Sequence, residues 1–511
     1  MFKNRKYIIL FFYMLSSFVL ADLIRPENGD QLNYIHVLFE WEQEPDAIGY
    51  NLQVSTEQHF NSLLLDVDDA TNVYIDKDNI NWNNTYYWRV RSIYDNEDLG
   101  YGDWIDQSSF SIGGTSFQNI NVNIYDGDLL EDGYVAISGF APELASVIID
   151  KQGNEIWNDG DFEFLLNHIN ENGNISGFSS INYPFYTGMK TNTNMDVTWS
   201  TLDSNPLDMH EFKQISNGNY MGFIREDALG PIPSDNYMTQ YFQMIGYQAD
   251  GITLEFPWYG QKIIEWNSDH EVVWSWSPFD HFTMDDYDNY EGTWYNAYFQ
   301  QEVDWMHSNA FHFDEEESVI YVSHRHLSRI TKIDYPSGEV IWNMGLPVEY
   351  MASGDEHICT DLLFSFQHNI QLLDDGDLLF FDNGNLSDML LGDSNPTTRI
   401  RRIRVIDDSF CETVWQYDLP QNLHGLGMGS VQLLNNGNYS IYTFGSGLND
   451  PECSVLEVTP NKEIIWKATS NNPNVAWYRS YKIPELHPDA FSVMVDGYTV
   501  IADESLINIS E

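Results

Sequence analysis

The four-residue stretch Glu339-Val-Ile-Trp342 returns, with small changes, along most of the chain. Each copy ends in tryptophan after one or more apolar residues, and the six copies are Asn154–Trp157, Asp196–Trp199, Glu271–Trp274, Glu339–Trp342, Glu412–Trp415 and Glu463–Trp466. A motif that recurs in this way indicates that one small structural unit is repeated six times.

A second repeated element is a tight turn between apolar residues. It is Asn-Gly-Asn at 172–174, 217–219 and 436–438, Asp-Gly-Asp at 375–377, and Asp-Gly-Tyr at 496–498. Such turns connect the strands of β-hairpins, and these sequences predict type I′ turns, in which both central residues have a positive φ. The repeating unit is therefore a small antiparallel sheet.

The number and length of the repeats favour a six-bladed β-propeller over residues 114–511. A single small sheet cannot bury both faces, so tandem copies must stack or close into a ring. The run Asp496–Val500 resembles Asp132–Ala136, which indicates that the two ends meet to close the ring. Residues 279–300, rich in Asp and Tyr, are expected to form a long loop inserted into one blade.

Residues 22–113 form a separate unit by their pattern. Apolar and polar residues alternate in the runs His36–Trp41, Tyr50–Val54 and Tyr86–Arg91, as they do in half-buried antiparallel strands. This segment resembles a fibronectin type III sandwich, and modules of that kind most often act as spacers or docking units. The predicted fold class is thus all-β, with a small sandwich before a six-bladed propeller.

The first 21 residues have the pattern of a secretory signal peptide. Lys3, Arg5 and Lys6 precede the apolar stretch Ile8–Leu20, and cleavage is expected after Ala21. The apolar stretch is shorter than the ~20 residues that cross a bilayer, so no membrane insertion is expected after cleavage. The sequence predicts an exported protein, either periplasmic or extracellular.

The chain is strongly acidic. It has 78 Asp and Glu against 23 Lys and Arg, a formal net charge of -55. A field of this sign repels phosphate backbones and anionic membranes, so nucleic acid is excluded as a partner. If the protein binds an anion, it must concentrate its few cations locally.

The three cysteines lie in the second half of the chain. An odd number in an exported protein allows one disulfide and one free thiol, and the three pairings of Cys359, Cys411 and Cys453 stay open. Their spacing fits no zinc site.

Three histidines occupy matching places in the repeats. His210 and His368 lie eight residues before a turn glycine, and His307 lies at the corresponding place in Asp-Trp-Met-His-Ser-Asn. His424 lies five residues earlier in a fourth repeat. These places are the starts of the inward strands, so we expect the imidazoles to converge at the mouth of the channel.

Several arginines lie in comparable places: Arg325, Arg399, Arg401, Arg402, Arg404 and Arg479. Side chains alternate along a strand, so only one parity of the run from 399 to 404 can face the channel. We expect Arg402 and Arg404 to point elsewhere.

The most specific motifs lie between residues 304 and 385. They are Asp304–Asn309, Val322–Arg325 ahead of Lys332–Asp334, Gly338–Gly345, Phe364–His368 and Phe381–Asn385. Together they resemble the bacterial arylsulfate sulfotransferases, and the resemblance extends from about residue 115 to the end of the chain. It implies a six-bladed propeller that moves a sulfuryl group from an aryl sulfate to a phenol. The transfer would pass through a sulfated histidine, without PAPS or any other nucleotide donor and without a cofactor.

The resemblance also implies site residues, because the family's channel holds three histidines and one arginine. His307 and His368 match, Arg399 is the best fit to the arginine with Arg401 as its alternative, and His424 is placed as the nucleophile by its order in the chain. The further residues expected to bind substrate are His210, Arg325, Arg401, Arg479, Trp305 and Asn309. The partners would be small aryl sulfates and phenols, and the oligomeric state stays open.

The residue types suit this chemistry. Sulfuryl transfer, like phosphoryl transfer, is expected to spread charge over non-bridging oxygens, which an arginine can bind with its planar fork of donors. A neutral imidazole can attack sulfur, and a second one can exchange a proton with the phenol.

Two other functions are weighed against this one. The first is a non-catalytic propeller that binds an anion or glycan and is displayed as an exported adhesin. The second is a metal enzyme that uses His324 and His326, which is disfavoured because no third ligand stands at a typical spacing. Acidic turns such as Asp374–Asp377 could hold Ca²⁺, but hairpin turns explain them without an ion.

Overall fold

The structure is a computed structural model that describes residues 22–95, 100–116, 120–170, 172–180, 186–202, 207–351, 353–445, 453–470 and 475–495. The predicted signal peptide at 1–21 and the predicted turn at 496–498 lie outside these residues. Nearly all regular structure is β-strand, which confirms the all-β prediction.

Contacts divide the chain into two units, Met1–Gly113 with Ala490–Glu511, and Gly114–Asp489. The second domain was predicted to extend to residue 511, whereas the last described residues belong with the first unit. Val495 and the side chain of Gln43 exchange two hydrogen bonds of 2.9 and 3.1 Å, which explains this assignment.

The first unit contains two sheets. Its strands are β1 (Leu23–Arg25), β2 (Asp30–Leu32), β3 (Val37–Trp41), β4 (Gly49–Ser55), β5 (Leu65–Asp69), β6 (Val73–Asp76), β7 (Thr85–Ile93) and β8 (Tyr101–Ile112). Their orders are β1-β3-β6 and β2-β8-β7-β4-β5. Alternate residues of β7 are buried, and Trp88 packs edge-on against Phe39 of β3 with ring centroids 5.2 Å apart. The period-two pattern therefore builds the core of this unit.

The second unit contains the remaining strands. They are β9 (Ile120–Tyr125), β10 (Tyr134–Ala141), β11 (Ala145–Ile149), β12 (Glu155–Asn158), β13 (Phe164–Ile169), β14 (Ile175–Ser179), β15 (Thr187–Thr191), β16 (Val197–Ser200), β17 (Leu207–Gln214), β18 (Tyr220–Gly230), β19 (Phe256–Trp266), β20 (Val272–Trp276), β21 (Val303–Asp304), β22 (Ser308–Asp314), β23 (Val319–His324), β24 (Arg329–Asp334), β25 (Val340–Gly345), β26 (His368–Leu372), β27 (Leu378–Asp382), β28 (Arg399–Ile406), β29 (Phe410–Asp418), β30 (Ser430–Leu433), β31 (Tyr439–Thr443), β32 (Ser454–Val458), β33 (Ile464–Ser470) and β34 (Ala476–Ile483).

Within the described residues, the strands of the second unit form six sheets. We number them I to VI, and their orders are β12-β11-β10-β34, β13-β14-β15-β16, β17-β18-β19-β20 with β21 beside β19, β22-β23-β24-β25, β26-β27-β28-β29 and β30-β31-β32-β33-β9. The first strand of each of sheets II to VI and β34 of sheet I lie at one edge of their sheets. Each of these six edge strands contacts the next, and β30 contacts β34, so the contacts form a closed circuit.

The two ends of the second unit meet in this circuit. β9 pairs with β33 in sheet VI, and β34 pairs with β10 in sheet I. The closing strand is Ala476–Ile483, and it precedes the run Asp496–Val500, which lies outside the described residues. Gly133, with φ +113°, allows this pairing, because a Cβ atom there would lie 2.3 Å from the carbonyl oxygen of Ile483.

The hairpin turns differ from the prediction. Gly218 has a positive φ of 90°, but among the described residues Asn217 is not one of those with positive φ. Ile215 and Asn219 close the loop, since the amide of Ile215 donates to the carbonyl of Asn219 at 2.9 Å. The loop therefore holds three residues and ends in a left-handed glycine, and the type I′ prediction is wrong. The turns at Gly376 and Gly437 have the same hydrogen-bond pattern.

The repeated tryptophans link neighbouring sheets. Each lies on the strand at, or next to, the edge of its sheet opposite the circuit of edge strands, and its indole N–H donates to a turn of the following sheet. The six pairs are Trp157 with Thr193 O, Trp199 with Ser268 O, Trp274 with Pro336 O, Trp342 with Asp408 Oδ1, Trp415 with Pro460 O, and Trp466 with Lys151 O. The sixth bond joins sheet VI to sheet I, so these bonds also run in a closed circuit.

The helices are short. They are α1 (Thr239–Met244), α2 (Thr293–Gln300) and α3 (Ser387–Leu391), with 3₁₀ turns at Pro278–Asp280, Val348–Tyr350, Thr360–Leu362 and Gln421–Leu423. Helix α2 lies in the segment that was predicted to be a loop, where Trp294 is buried against Phe242 of α1. A search of the described residues for a helix with the length and apolarity of a membrane span found none.

One disulfide joins Cys359 to Cys411, with the Cα atoms 5.3 Å apart. It ties the segment before β26 to β29 of sheet V. Cys453 is a buried free thiol.

We expect Trp466→Phe to destabilise the second unit by about 1 kcal/mol, because it removes one indole donor but keeps most of the ring packing. Trp466→Ala should cost about 3–5 kcal/mol, because it also leaves a cavity. Urea unfolding followed by circular dichroism measures both values. A Trp466→Phe protein with wild-type stability would show that the bond between sheets VI and I contributes nothing.

Candidate active site

Three edge strands carry a histidine at or just before an irregularity in their pairing. The register shifts between Leu207 and Phe212 in β17, between Ser308 and Ala310 in β22, and between His368 and Ile370 in β26. Such bulges turn side chains away from the regular alternation of a strand. The neighbouring strands β17, β22 and β26 thereby bring His210, His307 and His368 to the same end of the circuit.

His210 and His307 form a direct pair. Their Nε2 atoms lie 3.1 Å apart, and their rings meet edge to face. The Nδ1 atom of His210 bonds to Asp208, and the Nδ1 atom of His307 bonds to Asp304. A carboxylate accepts a proton from each Nδ1, so the contact between the two Nε2 atoms requires one shared proton. The two side chains are 12% and 25% exposed, which leaves the pair open to a ligand.

Gln261 of β19 holds the two carboxylates in place. Its Nε2 atom donates to Asp208 and to Asp304, both at 3.4 Å, while its Oε1 atom accepts the amide of Ser308 at 2.7 Å. Burial raises the pKa of Asp304, but the charges of His307, His326 and His210 outweigh it and leave this pKa below its usual value. Burial lowers the pKa of His307, and Asp304 opposes that effect.

His368 is fixed by Asn383. The Nδ1 atom of His368 lies 2.8 Å from Asn383 Oδ1, and Asn383 Nδ2 donates to the carbonyls of Gly425 and Met428 at 2.8 and 2.9 Å. Because the amide nitrogen is committed to two carbonyls, Oδ1 is the acceptor and His368 carries its proton on Nδ1. Its Nε2 atom therefore holds a lone pair.

Arg325 is the cation of this cluster. The amides of Arg325 and His326 donate to the carbonyls of His307 and Met306, which places the turn after β23 beside His307. The guanidinium lies 4.9 Å from the centre of the Phe366 ring and donates to the Leu426 carbonyl at 3.3 Å. Burial, followed by the charge of Arg325, lowers the pKa of His368 well below its usual range. The cluster of His210, His307, His368 and Arg325 is called the histidine cluster below.

Comparison with known proteins assigns a family to this region. Residues 252–479 match the family model described as Arylsulfotransferase (ASST), and this range contains three of the four members of the histidine cluster. Residues 252–479 are a domain of the arylsulfotransferase family. The chain is accordingly a sulfotransferase-like transferase.

The other comparisons add no functional information. No curated protein sequence matches the chain. Among solved structures it is similar to the periplasmic gluconolactonase PpgL of Pseudomonas aeruginosa, at 9% identity over 84% of this chain and 99% of that chain, with a TM-score of 0.31. It is also similar to dihydro-heme d1 dehydrogenase NirN, at 9% identity over 90% of this chain and 80% of that chain, with a TM-score of 0.31. Similarity at this level does not support an inference about function.

The structure does not bring the predicted Arg399 into the histidine cluster of the arylsulfotransferase domain. Its guanidinium pairs with Asp393 at 2.7 Å and with Asp418 at 3.4 Å. Arg401, the alternative, is bound by Asp382, Gln416 and the Leu362 carbonyl. The prediction for these two arginines was wrong because acidic partners hold both side chains away from the cluster, and only Asp382, the partner of Arg401, is buried. Arg402 and Arg404 point elsewhere, as expected, and bind Asp375 and Asp377 of the hairpin turn.

His424 also lies apart from the cluster. Its Nδ1 atom is 3.0 Å from the hydroxyl of Thr398, which in turn donates to the Asn383 carbonyl. Burial alone lowers the pKa of His424, whereas the charge of Arg325 acts on His307 and His368. Within the described part of the chain, no contact joins the His424 ring to the four members of the cluster.

Three residues predicted to bind substrate have structural contacts instead. Trp305 is 1% exposed, donates its indole N–H to the Asp286 carbonyl and packs against Trp258, so its ring cannot stack on a phenol. Asn309 is fully buried and donates to the Gln367 carbonyl at 2.8 Å. Arg479 pairs with Glu211 at 2.6 Å and donates to the Asn309 carbonyl.

The sequence reasoning missed the groups that position the cluster, namely Asp208, Asp304, Gln261, Asn383 and His326. A signal existed for the two aspartates, because each stands two or three residues before a cluster histidine. No local signal exists for Gln261, which reaches the site from the third strand of its sheet.

Asp304, His307 and His326 offer ligand atoms within 4.8 Å of one another, the one such group of three found among the described residues. Hydrogen bonds already use these groups, because His307 bonds to the Asp304 carboxylate and His326 Nδ1 bonds to the Asp304 carbonyl at 2.7 Å. A metal ion would have to replace these bonds. His324 is not a member of this group, and its Nδ1 atom bonds to the Ser308 hydroxyl at 2.8 Å.

We expect Asp304→Asn to lower the pKa of His307 further, because the carboxylate charge that favours the imidazolium is lost while the shape is kept. NMR titration of ¹³C-labelled histidine measures this change. Asp314→Asn, on the same strand β22 but away from the cluster, should leave the titration unchanged. An unchanged or raised pKa of His307 in Asp304→Asn would contradict the assigned role.

Proposed function

We propose that this chain is a PAPS-independent aryl sulfotransferase that moves a sulfuryl group from an aryl sulfate to a phenol through a sulfated His368. One observation carries the proposal. His210 and His307 are in contact, and the charges of Arg325 and of both imidazoles act on His368 from neighbouring sheets, in a region that matches the arylsulfotransferase family. We further propose that sheets I to VI are the blades of a six-bladed propeller and that the cluster lies in its channel.

His368 is the best nucleophile of the cluster. Its proton is held on Nδ1 by Asn383, so the lone pair on Nε2 is available for attack on sulfur. Its pKa lies well below the usual range, so the ring is unprotonated at neutral pH. This assignment replaces His424, whose ring has no described contact with the cluster.

Arg325 suits the role of the group that stabilises the transferred sulfuryl oxygens. The guanidinium is half-buried and has described bonds for only part of its donors, to the Leu426 carbonyl and the Phe366 ring. Its planar set of N–H donors matches oxygens that gain negative charge in the transition state.

The pair of His210 and His307 suits proton transfer. In the first half-reaction, the Nε2 lone pair of His368 forms an N–S bond while the S–O bond to the aryl group breaks. The electron pair stays on the aryl oxygen, which takes the proton shared by His210 and His307. In the second half-reaction, the acceptor phenol returns a proton to the pair and its oxygen forms the new S–O bond. The N–S electrons return to His368, so atoms and charges balance.

The remaining parts of the chain suit an exported enzyme. We propose that residues 1–21 direct export to the periplasm or the exterior, where no nucleotide donor is supplied, and that the first unit is a fibronectin type III-like spacer. A sulfated histidine makes such a donor unnecessary.

The mature chain should release nitrophenol from 4-nitrophenyl sulfate faster when a phenol is added. His368→Asn should reduce release by about a thousandfold or more, because the nucleophile is lost. His424→Asn is the matched control and should keep turnover within about tenfold of wild type. With a ³⁵S-labelled donor and no acceptor, label should stay on the wild-type protein and not on His368→Asn.

Other results would contradict the proposal. If the rate of nitrophenol release does not depend on the acceptor phenol, the protein is a sulfatase. If the folded wild-type chain releases no nitrophenol, the non-catalytic anion-binding propeller is favoured. If His424→Asn loses turnover and His368→Asn retains it, His424 is the nucleophile.

The rate of the first half-reaction should not fall between pH 8 and pH 6.5. Burial and Arg325 hold the pKa of His368 well below 6.5, so the fraction of unprotonated nucleophile stays constant over this range. Stopped-flow measurement of the nitrophenol burst tests this. In Arg325→Met the fall of this rate at acid pH should move to higher pH, because the cation that opposes protonation of His368 is lost. An acid limb near pH 6.5 in the wild type would contradict the assignment.

A further inference from the structure

A second cavity lies at the other end of the strands that carry the histidine cluster. Its volume is about 350 Å³, and its walls come from edge strands of five sheets, β34, β13, β17, β22 and β26. On β17 it is lined by Lys213, three residues after His210, and on β22 by His312, five residues after His307. At about 3.3 Å per residue, these positions are about 10 to 16 Å from the cluster along the strands.

A buried ion pair separates the two places. Glu211 and Arg479 are 2.6 Å apart, and Arg479 also donates to the carbonyl of Asn309. Glu211 follows His210 directly in β17, and both members of the pair line the second cavity, so the pair forms the cavity wall on the side of the cluster. The cavity is therefore distinct from the proposed catalytic site.

Lys213 has an incomplete set of partners. Its ammonium has three donors, but within the described residues it has one hydrogen bond, to the Phe311 carbonyl at 3.1 Å, and one cation–π contact, with the Phe311 ring at 4.7 Å. The described chain places no carboxylate within 4.0 Å of it, although acidic residues outnumber Lys and Arg by 78 to 23. The two carboxylates that line the cavity are engaged elsewhere, Glu211 with Arg479 and Glu315 with Ser216.

Two histidines in this cavity also lack hydrogen-bond partners among the described residues. His168 of β13 and His312 of β22 line the cavity, and no hydrogen bond to either ring is found among the described residues. Burial, followed by the charge of Lys213, lowers the pKa of His168 to about 4 and that of His312 to about 3. Burial also lowers the pKa of Lys213. Both imidazoles are therefore uncharged at neutral pH, and each can donate one N–H to an anion bound beside the Lys213 ammonium.

Apolar side chains form part of the wall. Phe313, Ile370 and Leu372 contribute to it, and a cavity of this size is in the range of sites for small organic ligands. An oxyanion group would satisfy the free donors of Lys213 and the two histidines, while an apolar body would cover the aromatic and aliphatic side chains.

We propose that this cavity is a second ligand site, which binds a small organic anion with one anionic oxygen group and an apolar body through Lys213, His168 and His312. The site is independent of the proposed sulfuryl transfer and requires no turnover.

Titration calorimetry of the mature chain with naphthalene-2-sulfonate tests the proposal. The probe has a C–S bond, so it cannot donate a sulfuryl group, and the neutral naphthalene-2-sulfonamide is its matched control. We expect the sulfonate to bind about tenfold tighter than the sulfonamide or better, since Lys213 supplies a charge-assisted hydrogen bond. In Lys213→Met this binding should weaken about tenfold or more, and in His312→Asn several-fold. In Lys151→Met, at an exposed lysine outside the cavity, it should be unchanged.

The same experiment tests whether the sulfonate binds at the second cavity or at the histidine cluster. In His368→Asn one sulfonate per chain should still bind with the affinity of the second cavity, whether or not the protein transfers sulfuryl groups. The proposal is overturned if the wild type does not bind the sulfonate, if folded Lys213→Met and His312→Asn proteins bind it like wild type, or if His368→Asn abolishes binding. Thermal unfolding of each variant establishes that it is folded.

Discussion

The closed circuit of contacts between the six edge strands is the constraint on which the second unit depends. Each sheet is too small to bury both faces, so it is stable only between two neighbours, and the first and last sheets need each other. Six tryptophan indoles reinforce the circuit by bonding to the turn of the next sheet, and Trp466 completes it at Lys151. The circuit brings His210, His307 and His368 to one end of their strands although they are far apart in the chain, and a cavity lies at the other end.

The interior cations of the protein differ in whether a carboxylate neutralises them, and this difference matters more for its chemistry than the net charge of -55. Among the interior cations, Arg399, Arg401 and Arg479 are neutralised by carboxylates, and they serve the fold. Arg325 and Lys213 have no described carboxylate within ion-pair distance, and they face opposite ends of the same strands. The two proposed anion sites rest on these two cations. His210 and His307 each bond to a carboxylate through Nδ1, whereas His368 bonds to an amide oxygen. The proposed roles of a proton-transfer pair and a nucleophile rest on this difference in environment.

Much of the architecture and part of the site could be predicted from residues alone. The tryptophan and glycine repeats indicated six small sheets, and the eight-residue spacing to the turn glycine identified His210 and His368 as equivalent. Arg325 was predicted as a binding residue because it follows a specific motif. The reasoning was wrong for the turn type, because one additional loop residue changes which positions need a positive φ. It was also wrong to expect Arg399 in the cluster. The alternation of side chains along a strand predicts which face of the sheet a side chain lies on, but it does not predict whether an aspartate binds the side chain there.

The sequence by itself determined the all-β class, the sixfold repetition and the chemical character of the cluster, because these depend on local spacing and residue type. Only the tertiary structure decided which histidines meet, which arginine stands beside them, which cysteines pair, and that a second group of basic residues lines a separate cavity. The physical reason is that these features depend on contacts between residues that are far apart in the chain. Bulges, buried carboxylates and a single bridging glutamine set those contacts, and none of them can be read from the order of residues along one strand.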